Sequence, residues 1–264
     1  MFGEVAEVVR LTPTMVRVVL GGEGLADYEP VPFTDQYVNA LFVPEGAPYT
    51  VPFDPDAVKD EAPAHRPRGR RYSIRRWDPV ERQVTIDFVV HGDVGFAGRW
   101  ANNTRPGDRL QIVGPTGGYS PSPTADWHLM VGDESALPAI AASLERVRPG
   151  VPAVVLVVVD GPDHELPLDC PGDAKIEWIH RSSDPGNHGL LPAAVAAAEL
   201  PTGTPDLFVH GEAGEVRAIR RHLLGERGFA REGASISPYW RRTFTDEAWR
   251  EVKRDFLAEM RDEV

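Results

Sequence analysis

The chain has 264 residues, 42% hydrophobic and 26% charged; this excludes global disorder and leaves room for two domains. A formal net charge of −12 argues against a protein that grips nucleic acid through its phosphates. The single cysteine, Cys170, excludes an internal disulfide and any all-cysteine metal site. No signal pattern is visible, and the longest apolar run, residues 151–159, is too short to span a bilayer. We therefore expect a cytoplasmic protein without membrane insertion.

The first half of the chain is predicted to form short antiparallel strands. In the clearest of them Val84, Ile86 and Phe88 alternate with outward positions, which is the period of a half-buried strand. A proline-rich loop precedes the fourth strand, and a short helix is expected at residues 99–102. Such a series predicts a small closed barrel. The predicted strands are 3–11, 15–20, 36–43, 71–77, 83–91 and 109–113.

The second half alternates between strands and helices. Strands are predicted at residues 128–131, 151–159, 175–179, 206–209 and 235–239, and helices at 135–147, 190–199, 216–224 and from Thr245 onward. Repeated β-α-β units predict a doubly wound parallel sheet. We therefore expect domains 1–122 and 123–264, the second with a C-terminal helical extension over about 243–264.

A charged strand motif, Arg71-Tyr72-Ser73-Ile74-Arg75, is the first candidate binding element. An arginine can clamp a pyrophosphate, a tyrosine offers a flat face to a ring system, and a serine can donate to a ring nitrogen. Those are the needs of a flavin dinucleotide. A solvated strand on a barrel face is the alternative reading of this motif.

Glycine-rich segments supply three further candidate elements. Residues 91–101 lead from a strand into a short helix, whose free N–H groups suit a phosphate. Residues 114–119 precede the interdomain linker. Residues 132–139 and 211–214 follow parallel strands at one sheet edge, where open α/β sheets bind nucleotides.

Taken in this order, the motifs resemble the siderophore-interacting protein family, flavoproteins of the ferredoxin reductase superfamily that reduce ferric siderophores. The resemblance covers nearly the whole chain and also includes Gly114-Pro115 and Tyr239-Trp240-Arg241-Arg242. It implies a six-stranded antiparallel FAD-binding β-barrel followed by a doubly wound NAD(P)H-binding domain. The family usually has proline where Phe96 stands, and glycine where Pro238 and Thr243 stand.

The resemblance also implies binding roles for individual residues. Those implied for FAD are Arg71, Tyr72, Ser73, Ile74, Arg75, Asp87, Val89, Val90, His91, Gly95, Phe96, Ala97, Gly98, Trp100 and Thr116. Those implied for the nicotinamide nucleotide and the flavin mouth are Gly132, Asp133, Glu134, Ser135, Ala136, Gly211, Glu212, Tyr239 and Trp240.

The implied reaction passes electrons from NAD(P)H through FAD to iron(III) in a ferric siderophore, and iron(II) is released. A ferric siderophore is often anionic, so a local basic pocket is expected even on an acidic protein. The candidates are Arg66, Arg68 and Arg70 in the proline-rich loop, with Arg241, Arg242 and Lys253. The histidines lack paired ligand spacing, so we expect no protein-bound metal.

The electron donor and the reaction class keep alternatives open. The acidic loop 160–163 suits the free ribose of NADH, whereas Arg181 and Ser182 could hold the 2′-phosphate of NADPH, which we favour. A ferredoxin donor also stays open, and we expect a monomer. The rival functions are a general NAD(P)H–flavin reductase with another acceptor and a non-enzymatic carrier of flavin or siderophore.

Overall fold

A computed structural model describes residues 1–90 and 95–264 of the chain. Contacts within the chain divide it into two units, Met1–Tyr119 and Ser120–Val264. Among the described residues, no helix is both long and apolar enough to cross a membrane.

The first unit is a closed barrel of six antiparallel strands in the order β1-β2-β5-β4-β3-β6, which confirms the predicted barrel. Alternate residues of each strand point inward, as Val84, Ile86 and Phe88 of β5 do, and they are fully buried. A short helix, α1, packs Ala97 and Ala101 against this interior. The elements are β1 (Phe2–Thr12), β2 (Met15–Gly21), β3 (Tyr37–Phe42), β4 (Arg68–Asp78), β5 (Gln83–Val89), α1 (Phe96–Asn103) and β6 (Arg109–Thr116).

Strand β4 begins earlier than its sequence predicts. Arg68 and Arg70 were expected in the proline-rich loop, and that expectation is wrong because both are paired in the β3–β4 ladder, Arg68 with Phe42 and Arg70 with Ala40. The hydrogen bonds of the ladder and the buried partners on β3 extend the strand through a charged segment that has no apolar alternation.

The second unit is a five-stranded parallel sheet in the order β11-β10-β7-β8-β9, which confirms the predicted parallel sheet. From β7 the chain runs outward through β8 to β9, and then returns to β10 and β11 on the other side. The strand order therefore reverses between β7 and β10. The elements are β7 (Trp127–Asp133), α2 (Leu137–Leu144), β8 (Pro152–Val159), β9 (Asp173–His180), α3 (Leu190–Ala197), β10 (Pro205–Glu212), α4 (Ala213–Arg220), β11 (Ser235–Trp240) and α5 (Asp246–Glu263).

The C-terminal helix α5 is built as its sequence predicts. The Thr245 hydroxyl accepts a hydrogen bond from the backbone N–H of Ala248 at 3.2 Å, which caps the first turn. Trp249, Phe256 and Met260 recur on one face and are buried against Ala213 at the start of α4. This helix is therefore anchored beside the end of β10.

Candidate functional site

The register of β3 and β4 sorts the charged residues of β4 onto two faces. Tyr72 and Arg70 lie opposite Val38 and Ala40, which are completely buried. Directly paired residues point to the same side of a sheet, so Arg68, Arg70 and Tyr72 share the inner face. Arg71 and Ser73 therefore lie on the opposite face. The sequence predicts one binding element at residues 71–75, whereas the strand places their side chains on two opposite faces.

The inner face of β4 meets the start of α1. Gly95 precedes this helix with a φ of 81°, and Phe96 in the first turn is 45% exposed. The Arg68 guanidinium lies 5.3 Å from the centre of the Phe96 ring. Its Nε atom is buried and has no hydrogen-bond partner among the described residues. A buried, unpaired guanidinium nitrogen beside a helix start fits an anionic ligand such as a pyrophosphate.

Aromatic side chains continue this face toward the barrel interior. The Tyr72 ring lies 4.4 Å from that of Phe88, measured between centroids, and Phe88 lies 5.6 Å from Trp100. Tyr72 and Trp100 are partly buried and pack on the core. One side of each ring is thus fixed by packing, which suits a rigid platform for a planar ring system.

The outer face of β4 carries the remaining polar members of the motif. Arg71 is exposed, and its guanidinium lies 5.9 Å from the Tyr37 ring. Tyr37 is paired with Ser73 on one side and with Thr116 on the other. Ser73 and Thr116 are thus two strands apart on one face, and Arg75 follows at an irregularity in the β4–β5 ladder.

Several residues implied for FAD have structural partners in the barrel. Ile74 is 1% exposed and belongs to the core. Both carboxylate oxygens of the buried Asp87 accept hydrogen bonds from Arg17, at 2.7 and 2.8 Å. Val90 is also buried, with its backbone N–H bonded to Thr14, and Val89 is half-buried. His91 lies outside the described residues, and the FAD roles of this group stay predictions.

At the edge of the parallel sheet, the acidic residues that end β7 and β10 both accept hydrogen bonds from the last residue of β11 or from the segment after it. Asp133 is 1% exposed; it accepts the backbone N–H of Ser135 at 2.8 Å and the indole N–H of Trp240 at 2.7 Å. Glu212 caps α4 by accepting the N–H groups of Gly214 and Glu215, and its other oxygen accepts the N–H of Arg242 at 3.1 Å. The glycine-rich segments at the ends of β7 and β10 are therefore both tied to residues 240–242.

Gly211 makes the close approach of these two segments possible. Its φ of 143° is a conformation that side chains with a Cβ rarely adopt. A Cβ built there would lie 2.7 Å from a carboxylate oxygen of Asp133. Only glycine fits this position without moving the Asp133 carboxylate.

Arg181 is engaged by two carboxylates. It donates to both oxygens of Glu134, at 2.6 and 2.9 Å, and to Asp160 at 2.9 Å. Burial disfavours the charge on the Arg181 guanidinium, but the hydrogen bonds and charge of Glu134, with Asp133 and Asp160, outweigh it and raise the pKa of this group. Ser182 follows in a short helical turn, with its N–H bonded to the Asp160 carbonyl. A 2′-phosphate at Arg181 would compete with carboxylates that the guanidinium already holds.

The segment 239–242 is held from several sides. The carbonyl of Tyr239 accepts the indole N–H of Trp249 at 3.1 Å, which ties this segment to α5. The Arg241 guanidinium lies 4.5 Å from the Phe244 ring. Thr243 adopts a φ of 66°, a left-handed conformation that glycine adopts more readily than threonine. Lys253 lies on α5, 5.9 Å from the Trp249 ring, while Arg66 remains in the barrel loop, bonded to the Glu61 carbonyl.

Glu215 is a candidate residue that the sequence analysis missed. It is 6% exposed, and burial, reinforced by Asp133 and Glu212, raises its pKa to about 7. A carboxyl group with that pKa can hold a proton near neutral pH. The usable signal was its spacing, because Glu215 stands four residues before Ile219 and so shares the buried side of α4. Among the described residues, no group of side chains could hold a metal ion.

Comparison with protein families accounts for both units. Residues 4–119 match the family model described as the siderophore-interacting FAD-binding domain. Residues 125–243 match the model described as siderophore-interacting protein.

Curated relatives match over nearly the full length. The ferric vibriobactin reductase of Vibrio cholerae is 31% identical over 94% of this chain and 92% of its own. The NADPH-dependent ferric-chelate reductase of Escherichia coli is 29% identical over 89% of this chain and 91% of its own. An uncharacterised protein of Mycobacterium tuberculosis is 39% identical, with coverages of 97% and 95%.

Solved structures agree with this grouping. A siderophore utilization protein from T. fusca has a TM-score of 0.80 at 36% identity and covers 93% of this chain and 94% of its own. A ferredoxin reductase of carbazole 1,9a-dioxygenase has a TM-score of 0.65 at 19% identity, with coverages of 91% and 69%. The second likeness concerns the fold alone and confirms the predicted ferredoxin reductase-like architecture.

Proposed function

The chain belongs to the siderophore-interacting protein family and is a siderophore-associated flavin reductase, and on that premise we propose that NADPH is its electron donor and a ferric siderophore its substrate. One NADPH supplies two electrons, so the balanced reaction reduces two iron(III) centres to iron(II) and yields NADP⁺ and one proton. FAD, when bound, supplies the conversion of a two-electron donor into one-electron transfers. We place this reaction in the cytoplasm.

We propose that the inner face of β4 and the start of α1 hold FAD. Arg68 and Arg70 offer guanidinium groups to the pyrophosphate, and Arg70 is better placed than Arg71 to act beside Tyr72, because the two share a face. Tyr72 and Trp100 provide the aromatic wall. The unpaired, buried Nε of Arg68 is the single observation that carries this assignment.

The nicotinamide nucleotide is proposed to bind at the edge between β7 and β10. Strand order reverses there, which is where open parallel sheets bind nucleotides. Segments 132–136 and 211–212 would line this site. We favour NADPH over NADH because the Escherichia coli relative is an NADPH-dependent ferric-chelate reductase. At Arg181 its 2′-phosphate would compete with Glu134 and Asp160 for the guanidinium.

The siderophore is proposed to contact the basic segment after β11. Arg241 and Arg242 follow one another on a segment that Glu212 and Trp249 hold in place, and Lys253 lies on the adjoining helix. Three cations on a protein of net charge −12 form a local site for an anionic chelate.

The test is anaerobic titration of the purified yellow protein. We expect NADPH to bleach the flavin absorbance faster than NADH, and a ferric hydroxamate or ferric tris-catecholate to restore it at once. The variant R241Q/R242Q should bleach normally and recover at least tenfold more slowly. The control R250Q, at an exposed site of α5, should behave as wild type.

The other outcomes separate the rival functions. Bleaching by NADPH with recovery only by quinones or free flavin would assign a general flavin reductase. Bound FAD that neither NADPH nor NADH reduces would point to a ferredoxin donor or a carrier. Protein without flavin would refute the proposed role of Arg68.

A further inference from the structure

The second unit contains a cavity of about 310 Å³ lined by β11, the segment before it, and helices α4 and α5. None of its lining residues is among those assigned to FAD, the nucleotide or the siderophore. Its polar lining consists of Arg220, Arg231, Arg261 and Ser237, and its apolar lining includes Ile236 and Leu257.

The three arginines bring more positive charge to this cavity than the described structure neutralises. Arg220 is 4% exposed, and it donates to the backbone oxygen of Met260 at 3.2 Å and to that of Val264, the last residue, at 2.5 Å. Arg231 and Arg261 are exposed, and within the described part of the chain neither forms a side-chain ion pair. The buried guanidinium therefore spends its donors on backbone oxygens at the end of α5, which leaves Arg231 and Arg261 as the cations available to a ligand.

The nearby carboxylate of α5 is already occupied. Glu263 accepts a hydrogen bond from Arg217 at 2.9 Å and another from Arg221 at 3.2 Å. Burial, followed by the charges of Arg231 and Arg261, lowers the pKa of the Arg220 guanidinium, while Glu263 opposes this only in part. Arg231 and Arg261 are exposed, so an anion can reach them from solvent, and three cations around one cavity attract it.

We propose that this cavity binds a small organic anion in which a phosphate or carboxylate group is joined to an apolar ring or chain. Guanidinium groups bind either oxyanion through paired N–H donors. Ile236 and Leu257 offer an apolar wall to the rest of the molecule. The volume is at the lower end of ligand pockets, which measure about 300–1,000 Å³. An anion here also cancels the repulsion among the three arginines and stabilises the end of α5.

Phenyl phosphate is the probe, because it joins a dianion to an aromatic ring; pyrophosphate lacks the ring, and benzoate carries a single carboxylate. Titration calorimetry and thermal unfolding are run on the FAD-loaded, full-length protein. We expect phenyl phosphate to bind at one site and to raise the melting temperature, and pyrophosphate and benzoate to bind more weakly. Stronger binding of benzoate would identify the ligand as a carboxylate.

The variant R231Q/R261Q should bind phenyl phosphate at least tenfold more weakly and lose the thermal shift, while its flavin content and its reduction by NADPH stay unchanged. The matched control R254Q, at a 91% exposed position of α5, should bind as wild type. Equal binding by wild type and R231Q/R261Q would overturn the proposal, because the anion would then occupy another site. The absence of any binding to wild type would overturn it as well.

Should R231Q/R261Q be poorly folded, R220K provides the second test. It keeps the buried charge but loses the paired N–H donors, and it should weaken phenyl phosphate binding while the protein retains FAD. Unchanged affinity in R220K would remove Arg220 from the site and refute the proposal as stated. Because these readouts are independent of NADPH oxidation, they fail or succeed separately from the proposed reductase activity.

Discussion

The candidate residues of the barrel and those of the sheet edge differ in how their hydrogen bonds are satisfied. On the barrel, the Nε of Arg68 is buried without a partner and Phe96 is 45% exposed. At the sheet edge, Asp133, Glu134 and Glu212 each accept at least two hydrogen bonds from protein groups. The first arrangement suits a ligand that stays bound, and the second suits one that binds by exchanging contacts and leaves again.

The largest loss of stability is expected when a hydrogen-bond partner is removed at the sheet edge. In Arg181→Met the Glu134 side chain, 11% exposed, loses its cation, and breaking such a pair costs about 3 kcal/mol. Urea unfolding near neutral pH measures this loss. The matched change on the barrel, Arg71→Met, alters an exposed side chain and should cost less than about 0.5 kcal/mol. Equal losses in the two variants would remove the contrast.

A change in stability of similar size is expected from the titration of Glu215. Burial raises the pKa of Glu215 to about 7 from its ordinary 4.5, so its contribution to stability is full below pH 4.5 and is lost as pH rises through about 7. Glu215→Gln should flatten this profile and exceed wild type by up to about 3 kcal/mol above that window. Unfolding free energies across the pH range provide the measurement. A decline in wild type that Glu215→Gln preserves would assign the titration to another group.

Glu177→Gln is the control for this pH experiment. Glu177 lies on β9 and is exposed. Its substitution should leave both the pH profile and the stability unchanged within about 0.5 kcal/mol.

A smaller loss is expected where the two sheet-edge segments touch. Gly211→Ala combines a strained φ of 143° with a Cβ 2.7 Å from Asp133, and we expect a cost of about 2 kcal/mol. Gly228→Ala has a φ of 70° and open space around its Cβ, so it should cost only about 1 kcal/mol. Melting temperatures of these two variants separate crowding against Asp133 from backbone strain. Equal decreases in melting temperature would mean that the contact with Asp133 adds no cost.

The smallest expected effect on stability belongs to the barrel. Arg68→Leu should weaken FAD binding about tenfold, about 1.4 kcal/mol, and leave unfolding of the FAD-free protein nearly unchanged. Fluorescence-detected FAD titration measures the first effect and urea unfolding the second. Arg76→Leu, at an exposed barrel arginine, is the control and should keep wild-type affinity. Normal FAD affinity in Arg68→Leu would show that its unpaired nitrogen has another purpose.

The fold follows closely from local sequence patterns. Alternation in β5 and the continuous apolar run of β8 both predict the strands that form, because burial on one face or on two leaves a direct trace in the sequence. The start of β4 has no such pattern of apolar residues. Arg68 and Arg70 are charged, and only pairing with β3 makes their backbone extended.

The candidate site could be predicted in part. The glycine-rich segments after β7 and β10 were identified because both end parallel strands at one edge. The bond between Trp240 and Asp133 joins residues that are distant in sequence, and nothing local indicates it. The ion pair between Arg181 and Glu134 likewise depends on tertiary placement, so the sequence alone indicates only a phosphate as the partner of Arg181.

The Trp240–Asp133 hydrogen bond has a practical consequence. Trp240 is one of six tryptophans and is 37% exposed, and its indole N–H is bound by the carboxylate at the proposed nucleotide edge. A nucleotide that takes over contacts of Asp133 changes the surroundings of that indole. Isotope labelling would therefore make the indole N–H resonance of Trp240 a built-in reporter of nucleotide arrival and departure at this edge.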